Sequence, residues 1–387
     1  MSASDLLTRA IEEVVPRELA EQKLQSGKKM RIYLGIDPTG SKLHLGHSVP
    51  LRKLQAFAAA GHEVIFLVGS FTAMIGDPSG RDVLREPLTK EQVIKNFDTY
   101  KQQAGKVLDF TKVKIVYNHE WLEKMNGAEI LKLASVFTVQ QMEERDMFRE
   151  RRKKGQPIGV HEFLYPLFVG RDSVELDVDC ELGGSDQLFN MLAGRTLQTA
   201  LGKREKFVLT TKLIEGTDGR KMSKSYDNCI WLEDSAKDMY GKIMSIEDKL
   251  ITTYMECCTD IPMDEIIIIE KKMIQEENPM QFKKQLAEEI VRLYHGDKSA
   301  SEAADGFSNV FAKGELPEDI PEVKAKKGES LLDVLLRAEM ITSKSDGRRL
   351  IEQGGIRLND EVLSDQNSPA TAGTYKVGKR KFMRIVD

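Results

Sequence analysis

The sequence has 387 residues, of which 41% are apolar and 30% charged, with a mean hydropathy of −0.37. Because a domain holds roughly 150 residues, this length predicts two or three domains. The formal net charge of −4 excludes a uniformly basic nucleic-acid-binding protein, so any RNA contact must come from local basic patches. The longest apolar runs, at 64–68 and 266–269, are far shorter than the roughly 20 residues that cross a bilayer, and we expect no membrane association.

The cysteines and the N-terminus indicate a cytoplasmic, reducing compartment. The four cysteines form no CxxC pair and no disulfide framework: Cys180, Cys229, Cys257 and Cys258. The first fourteen residues carry acidic side chains where a signal peptide would have a basic stretch and an apolar block.

The first two hundred residues alternate short β-branched runs with helical patterns, which predicts a parallel sheet in an α/β domain. The predicted strands cover 31–36, 64–68, 112–117, 174–180 and 207–210. The predicted helical segments cover 45–60, 91–107, 119–148 and 185–201.

Later parts of the chain change character twice. Beyond residue 232 the pattern is helical, and the prolines and charges of 316–329 are typical of a linker. From residue 330 the sequence predicts two helices and then short strands. We therefore predict an α/β domain over 1–231, a helical domain over 232–315, a linker over 316–329 and a small α+β tail over 330–387.

One candidate phosphate site lies in the stretch YLGIDPTGSKLHLGH, from Tyr33 to His47. No P-loop or GxGxxG pattern is present, so phosphate binding would need another design. His44 and His47 share one helix face near the helix N-terminus, where free N–H groups favour anions, and Gly46 permits close approach. The alternatives are a solvated pair or two metal ligands, although no Cys or acid lies at ligand spacing.

The second candidate is GRKMSKS, residues 219–225. Lys221 and Lys224 place two compact ammonium groups on a glycine-flanked loop, which suits the end of a polyphosphate. Taken alone, such a loop would be a solvated surface.

Together, HLGH and KMSKS resemble the signature pair of class I aminoacyl-tRNA synthetases. The chain resembles the bacterial tyrosyl-tRNA synthetase family over nearly its whole length, through IGDPSGR at 75–81, LYPLFVGRD at 164–172, GGSDQLFN at 183–190 and an S4-like tail. The resemblance implies a Rossmann-like nucleotide-binding sheet, an anticodon-binding type of helical domain and an RNA-binding tail. It further implies a homodimer whose interface includes the connecting helices at about 118–165.

The resemblance also implies residue roles. Tyr33 and Asp172 would bind the phenolic hydroxyl of L-tyrosine, Asp77 and Tyr165 its ammonium, and Gln187 would face its carboxyl group. The implied ATP site comprises Gly35, Asp37, Gly46, Gly184, Asp186, Met222 and Lys224, with Asp186 accepting from the ribose. The residues implied around the triphosphate are Thr39, His44, His47, Lys221, Lys224 and Ser225.

Two positions depart from the family pattern. Val169 stands where glutamine usually reaches the amino group of the substrate, and Arg171 stands where an aromatic residue is common. For Asp77, within Gly-Asp-Pro-Ser-Gly, a turn role is the competing interpretation.

The implied reaction forms tyrosyl-adenylate and pyrophosphate from tyrosine and ATP, then transfers the acyl group to the 3′-terminal ribose of tRNA(Tyr). The substrate carboxylate is the nucleophile, so no Ser/His/Asp constellation is needed. No acidic metal site is evident, so we expect Mg²⁺ to arrive with ATP.

Basic residues cluster in the tail and once in the α/β domain. The tail candidates for tRNA phosphates are Arg348, Arg349, Lys379, Arg380 and Lys381, within a segment that also carries Lys376 and Arg384. The run from Arg149 to Lys154 is a candidate for the acceptor stem. Two rival functions are a tryptophanyl-tRNA synthetase, against which Tyr33 with Asp172 argues, and a non-catalytic RNA-binding paralogue, against which the intact motifs argue.

Overall fold

The computed structural model describes residues 4–79, 88–275, 277–312, 320–326, 328–359, 361–378 and 381–386. The chain divides into two compact units, Met1–Gly296 and Asp297–Asp387. In the described part of the chain, no helix combines the length and apolar character needed to span a membrane.

A six-stranded sheet forms the centre of the first unit. Its strands are β1 (Ile11–Val15), β2 (Arg31–Ile36), β3 (Glu63–Val68), β4 (Val113–Tyr117), β5 (Cys180–Gly184) and β6 (Phe207–Thr211). The strand order is β1-β6-β5-β2-β3-β4, and all neighbours are parallel except β1 and β6. Strand β2 is central, with Ile32 opposite both Val64 and Cys180.

Helices surround this sheet and continue beyond it. Those of the first unit are α1 (Arg17–Gln25), α2 (Leu45–Ala59), α3 (Thr72–Ile75), α4 (Lys90–Ala104), α5 (His119–Leu122), α6 (Gly127–Ala134), α7 (Val139–Glu143), α8 (Asp146–Lys153), α9 (Val160–Leu176), α10 (Leu188–Ala200), α11 (Ala236–Met244), α12 (Ile251–Cys258), α13 (Met263–Ile274) and α14 (Pro279–His295). Short 3₁₀ turns lie at Ser4–Leu7, Ser185–Gln187, Lys224–Tyr226 and Asp248–Leu250.

The parallel sheet is confirmed, because apolar runs buried on both faces form its central strands. The strand predicted at 174–180 is wrong. Helix α9 continues to Leu176, with Val174 buried on it, and β5 begins at Cys180. The segment 119–148 is not one helix, because the side chains of Asn126 and Thr138 cap new helices. The antiparallel edge strand β1 was not predicted.

The second unit holds α15 (Asp297–Ala312), β7 (Glu322–Lys324), α16 (Leu331–Arg337), α17 (Lys344–Glu352), β8 (Ile356–Leu358), β9 (Glu361–Val362), β10 (Gly373–Val377) and β11 (Lys381–Val386). Its sheet has the order β7-β11-β10-β8-β9. Leu335, Ile356 and Met383 lie in the core between helices and sheet. Strand β7 pairs in parallel with β11, so the segment predicted as a linker contributes a strand. The four-part division of the chain stays a prediction.

Candidate active site

A cavity of about 670 Å³ opens at the carboxyl ends of β2, β5 and β6. In α/β proteins with a parallel sheet, ligands bind at the carboxyl ends of the strands, where the loops that follow the strands form a crevice. The residues predicted for tyrosine and nucleotide line this one cavity, together with Val169: Tyr33, Gly35, Asp37, Thr39, His44, Gly46, His47, Asp77, Tyr165, Asp172, Gly184, Asp186, Gln187, Lys221, Met222 and Ser225. Lys224 is exposed on the same loop as Lys221, outside that lining.

Asp172 presents a buried carboxyl group to this cavity. It is 2% exposed and accepts hydrogen bonds from Trp121 Nε1 at 2.8 Å and Asn118 Nδ2 at 3.1 Å. Burial raises the pKa of Asp172 well above its usual value, and the two donors oppose that rise. Two neutral donors thus fix the direction of the carboxyl group, which retains free lone pairs for a ligand.

Tyr33 is also buried, and its hydroxyl lies 2.9 Å from Ser173 Oγ. Ser173 Oγ is in turn 2.9 Å from Glu181 Oε2 and 2.8 Å from Lys206 Nζ. Lys206 and Glu181 form a buried ion pair in which Lys206 is 1% and Glu181 4% exposed, and Glu181 also lines the cavity. No motif in the sequence predicts a role for Ser173, Glu181 or Lys206. The available signal was Glu181 itself, a carboxylate inside an otherwise apolar central strand.

Asp77 occupies a turn and also lines the cavity, so the turn role is observed and the role toward the ammonium stays a prediction. Its Oδ1 accepts from the backbone N–H of Ser79 at 2.9 Å, which is the turn contact. Its Oδ2 accepts from Gln187 Nε2 at 2.8 Å, and Gln187 Oε1 accepts from Asn190 Nδ2 at 2.8 Å. These contacts orient an acidic group and an amide carbonyl beside each other.

Tyr165 and Asp37 form a second polar pair in the cavity. The Tyr165 hydroxyl donates to Asp37 Oδ2 at 3.0 Å, and Thr72 Oγ1 donates to Asp37 Oδ1 at 2.7 Å. A Cβ atom on Gly69 would lie 1.8 Å from Asp37 Oδ1, so this arrangement requires glycine at position 69. Asn118 Nδ2 donates to Thr72 Oγ1 at 3.0 Å, which connects this pair to Asp172.

His44 and His47 lie at the N-terminus of α2, as predicted, with ring centroids 3.8 Å apart. The backbone N–H of His44 donates to His47 Nδ1 at 3.2 Å. Burial lowers the pKa of His44 to about 2 and that of His47 to about 4, and Lys221 adds to both effects. Both rings are therefore neutral at pH 7 and offer N–H donors without charge. Among the described residues, no group of three His, Cys, Asp or Glu side chains is arranged to hold a metal ion.

The loop with the two lysines is anchored by Asn228. Its Oδ1 accepts from the Ser223 N–H at 2.8 Å, and its Nδ2 donates to Asp218 Oδ1 at 2.7 Å. Lys221 Nζ donates to Asp186 Oδ2 at 2.9 Å, with the lysine side chain 46% exposed. The loop therefore carries positive charge to the rim of the cavity.

The two positions that depart from the family pattern have different environments. Val169 is half-buried and lines the cavity, so this change falls within the site. Arg171 pairs with Glu175 at 2.6 Å, one helical turn along α9. Arg171 lies outside the cavity lining, so this change falls outside the site.

The basic candidates for RNA differ in availability. Arg348 and Arg349 are exposed on α17, and Lys381 Nζ donates to the carbonyl of Glu339 at 2.9 Å. Lys379 and Arg380 lie outside the described residues. The basic run at 149–154 lies mostly on α8. The prediction that this run contacts the acceptor stem needs correction at Arg151. This side chain is buried in an ion pair with Glu162 at 2.7 Å and is unavailable to RNA.

Comparisons with known proteins agree over nearly the whole chain. The family described as "tRNA synthetases class I (W and Y)" matches residues 25–312, and the S4 domain matches residues 330–374. The tyrosine–tRNA ligase of Oleidesulfovibrio alaskensis is 44% identical over 386 residues, covering 98% of this chain and 97% of the relative. That of Thermotoga maritima is 44% identical over 385 residues, covering 98% and 96%.

Solved structures share the fold. A C-terminally truncated mitochondrial tyrosyl-tRNA synthetase of Aspergillus nidulans has a TM-score of 0.68 at 24% identity, covering 80% of this chain and 94% of that structure. A tyrosyl-tRNA synthetase of Archaeoglobus fulgidus has a TM-score of 0.64 at 24% identity, covering 78% and 98%. With the family match over residues 25–312 and relatives of 44% identity along the full length, the chain belongs to the class I tRNA synthetases of the tryptophan and tyrosine family, with an S4 domain at its C-terminal end.

Proposed function

We propose that this chain attaches L-tyrosine to tRNA(Tyr), with ATP as the second substrate. The observation that carries the proposal is the pair of buried oxygen-bearing side chains, Tyr33 and Asp172, that line the cavity. A site with buried polar groups aimed at a hydroxyl rejects a ring that lacks it, because those groups are then left unpaired. Such a pair suits a phenol and would be left unpaired by phenylalanine.

The other end of the amino acid would meet Asp77, Tyr165 and Gln187. Asp77 is oriented by Ser79 and Gln187, so its carboxylate is fixed before a ligand arrives. The ammonium would bind Asp77 and the Tyr165 hydroxyl oxygen, and the carboxyl group would lie near Gln187. Val169 offers no hydrogen-bond acceptor there, so Asp77 would supply most of the negative charge that balances the ammonium.

ATP would bind between the two signature motifs. Asp186 would accept from the ribose after leaving Lys221, and Gly184 would allow close approach of the sugar. Asp37 is occupied by Tyr165 and Thr72, so it would act by orienting Tyr165. The remaining residues proposed at the nucleotide are Gly35, Gly46 and Met222.

In the first step, the tyrosine carboxylate would attack the α-phosphorus and pyrophosphate would leave. The chain's contribution is to hold both substrates in line and to stabilise the negative charge that builds on the leaving group. Neutral His44 and His47 would donate hydrogen bonds from their ring N–H groups to the phosphates, and Lys221 and Lys224 would supply positive charge. The proposed set around the phosphates is Thr39, His44, His47, Lys221, Lys224 and Ser225.

Mg²⁺ would enter as the ATP complex. The described residues contain no group of three metal-binding side chains, so the phosphates would be the main ligands of the ion. The second step moves the tyrosyl group to the 3′-terminal ribose of the tRNA.

RNA binding would rest on the S4 domain. Arg348 and Arg349 are exposed on α17 and would neutralise phosphates, together with Lys379, Arg380 and Lys381. The proposed organisation is a catalytic domain over 1–231, an anticodon-binding type of helical domain over 232–315, a linker over 316–329 and an RNA-binding tail over 330–387. The proposed location is the cytoplasm.

We also propose a homodimer formed through the helices at about 118–165. Three large apolar side chains are exposed in this segment: Leu131 at 72%, Val139 at 66% and Val160 at 78%. Exposed apolar residues on three helices, α6, α7 and α9, favour an interface over a solvated surface. Sedimentation of the purified protein tests this, and a monomer at micromolar concentration would contradict it.

Amino-acid-dependent ATP–pyrophosphate exchange, measured across the twenty amino acids, tests the reaction. We expect exchange with tyrosine and at most traces with phenylalanine or tryptophan. Exchange driven by tryptophan would identify the rival synthetase. Tight RNA binding without any exchange would identify the non-catalytic alternative.

A further inference from the structure

A buried arginine that the proposed reaction does not use contacts a residue that lines the cavity. Arg145 lies immediately before α8 and is 6% exposed. Its guanidinium carbon is 5.5 Å from the ring centroid of Phe148 and 4.8 Å from that of Phe189. Nη2 donates to Ser79 Oγ at 2.7 Å, whereas Nη1 is buried and has no hydrogen-bond partner among the described residues.

The positive charge of Arg145 has no counter-ion in direct contact. Burial lowers the pKa of Arg145, and the negative charge of Asp77 opposes this change most, but a guanidinium stays protonated in proteins. Glu162 is already paired with Arg151 at 2.7 Å, and among the described residues Arg145 forms no ion pair. The two aromatic rings attract the cation without neutralising it. An unpaired buried charge destabilises a fold, which favours a role toward an anionic ligand.

The neighbours of Ser79 fix the direction of its hydroxyl hydrogen. The Asp77 carboxylate can only accept, so Gln187 donates to it through Nε2 and presents Oε1 to Asn190. The Asn190 atom 2.8 Å from that oxygen must therefore be Nδ2, and the same nitrogen lies 3.4 Å from Ser79 Oγ. Asn190 and Arg145 can thus only donate to Ser79, and they occupy its two lone pairs. The Ser79 hydrogen has no acceptor among the described residues, and Ser79 lines the cavity.

Ser79 belongs to the same turn as the carboxylate that we propose for the substrate ammonium. The Ser79 N–H donates to Asp77 Oδ1 at 2.9 Å. The ammonium and the carboxylate of an α-amino acid are attached to one carbon atom, so a ligand held by Asp77 has its carboxylate nearby. Gln187 is neutral, and its two amide atoms already contact Asp77 and Asn190, so it supplies no charge to balance that carboxylate.

We propose that Ser79 donates a hydrogen bond to one oxygen of the substrate carboxylate, and that Arg145, acting through Ser79, supplies the positive charge that balances it. This inference rests on the proposed function of the cavity as the tyrosine site. It adds an anion-binding pair to residues that were assigned only to the ammonium, the phenol and the nucleotide.

This contact orients the nucleophile for adenylate formation. With one carboxylate oxygen bonded to Ser79, the other oxygen is left to attack the α-phosphorus of ATP. A bond forms between that oxygen and phosphorus, and the bond from phosphorus to the bridging oxygen breaks, with its electron pair leaving on pyrophosphate. No proton has to move in this step. Ser79 contacts the substrate, whereas Arg145 is a positioning residue that acts through Ser79.

The experiment compares dissociation constants for tyrosine and for tyramine, which has the same phenol and ammonium but no carboxylate. We expect the wild-type protein to prefer tyrosine. In Ser79→Ala that preference should fall about tenfold or more, as for the loss of a hydrogen bond to a charged group. In Arg145→Met it should fall at least about fivefold, because the charge acts on the carboxylate from a greater distance. Arg145→Lys keeps the charge and should retain more of the preference than Arg145→Met.

Two substitutions outside the cavity lining serve as matched controls. Ser48→Ala removes a fully buried hydroxyl that donates to the Leu45 carbonyl at 2.7 Å. Arg171→Met removes a guanidinium that pairs with Glu175 at 2.6 Å. Both control variants should show the wild-type preference for tyrosine over tyramine.

The ratio of the two affinities separates this role from a structural one, because general destabilisation weakens both ligands alike. A preference within twofold of wild type in either Ser79→Ala or Arg145→Met would overturn the inference. Weaker ATP binding by Ser79→Ala with an unchanged preference would also overturn it, by assigning Ser79 to a phosphate. If Arg145→Met does not fold, Ser79→Ala decides the question alone.

Tyrosine-dependent ATP–pyrophosphate exchange by the wild-type protein is measured in parallel. The absence of exchange would refute the proposed function. Normal exchange combined with an unchanged preference in the variants would refute only the role of Ser79 and Arg145.

Discussion

Val169→Gln tests how the cavity binds the amino group of its substrate. Val169 lies one helical turn after Tyr165 on α9, so both side chains share a helix face and line the cavity. The Tyr165 hydroxyl already donates to Asp37, and Asp77 already accepts from Gln187 and Ser79. A glutamine at position 169 would add an amide oxygen that can accept from the substrate ammonium.

The expected magnitude is the difference between two opposing contributions. A hydrogen bond to a charged group contributes roughly 1.5–3 kcal/mol. Ordering a glutamine side chain costs up to about 1.5–2 kcal/mol of rotamer freedom, more than ordering the stiffer valine. The net gain is therefore about 0–1.5 kcal/mol, which corresponds to a tyrosine Kd between unchanged and roughly tenfold tighter.

Calorimetric titration with tyrosine measures this Kd, with two comparison variants. Val169→Leu enlarges the side chain without adding an acceptor, so it should give no gain in affinity. Asp77→Asn keeps the shape and removes the charge, so it should weaken binding roughly tenfold or more. A tenfold loss in Val169→Gln combined with normal binding in Asp77→Asn would show that the ammonium lies elsewhere, with Val169 part of an apolar wall.

Three further outcomes concern the proposed catalytic lysine, the S4 domain and the buried His47. Lys224→Ala should slow adenylate formation at least tenfold with little change in tyrosine affinity, because the positive charge of Lys224 is expected to act on the leaving pyrophosphate. The exposed Lys237→Ala is the control. A single-turnover rate of Lys224→Ala within about twofold of wild type, or an equal loss in Lys237→Ala, would contradict this role. Ending the chain near residue 316 should spare ATP–pyrophosphate exchange and make the salt dependence of tRNA affinity shallower, and an unchanged salt slope would remove the S4 domain from RNA binding. Burial lowers the pKa of His47 to about 4 from its ordinary 6.5, so the unfolded chain binds a proton that the folded chain refuses. The free energy of unfolding should therefore fall as pH drops from 6.5 toward 4, and His47→Asn should reduce that slope by up to about 1.4 kcal/mol per pH unit; equal slopes in the two proteins would refute the shift.

The sequence predicts well where local pattern and tertiary environment agree. The strand at 31–36 is observed as β2 (Arg31–Ile36), since its apolar residues are buried on both faces as a parallel sheet requires. The prediction fails at 174–180, where Val174, Leu176 and Val178 alternate as in a strand although the first two end helix α9. The local alternation of apolar residues does not reveal that Val174 and Leu176 belong to a helix. Helix α10, which packs against α9, lies further along the chain.

The residues of the cavity also divide into those that the sequence predicts and those that it does not. Residues in HLGH, GGSDQ and KMSKS are found from linear motifs, because adjacent positions on one loop or helix end act on one substrate. Ser173 lies on α9, Glu181 on β5 and Lys206 just before β6, and no spacing relates them. Only the parallel register of β5 and β6, which sets Glu181 opposite Val208, brings the carboxylate beside the lysine.

The charges of the site are arranged by depth, and this arrangement limits what each substrate must displace. The acceptors around the proposed phenol and ammonium positions are buried and already oriented by neutral donors such as Asn118 and Trp121, so little reorganisation opposes tyrosine binding. Lys221 lies at the exposed rim, where it pairs with Asp186. If Asp186 binds the ribose and Lys221 the phosphates, that ion pair must open when ATP enters. An exposed pair contributes only about 0–1 kcal/mol, so ATP binding separates the two groups at small cost and gives each a new partner.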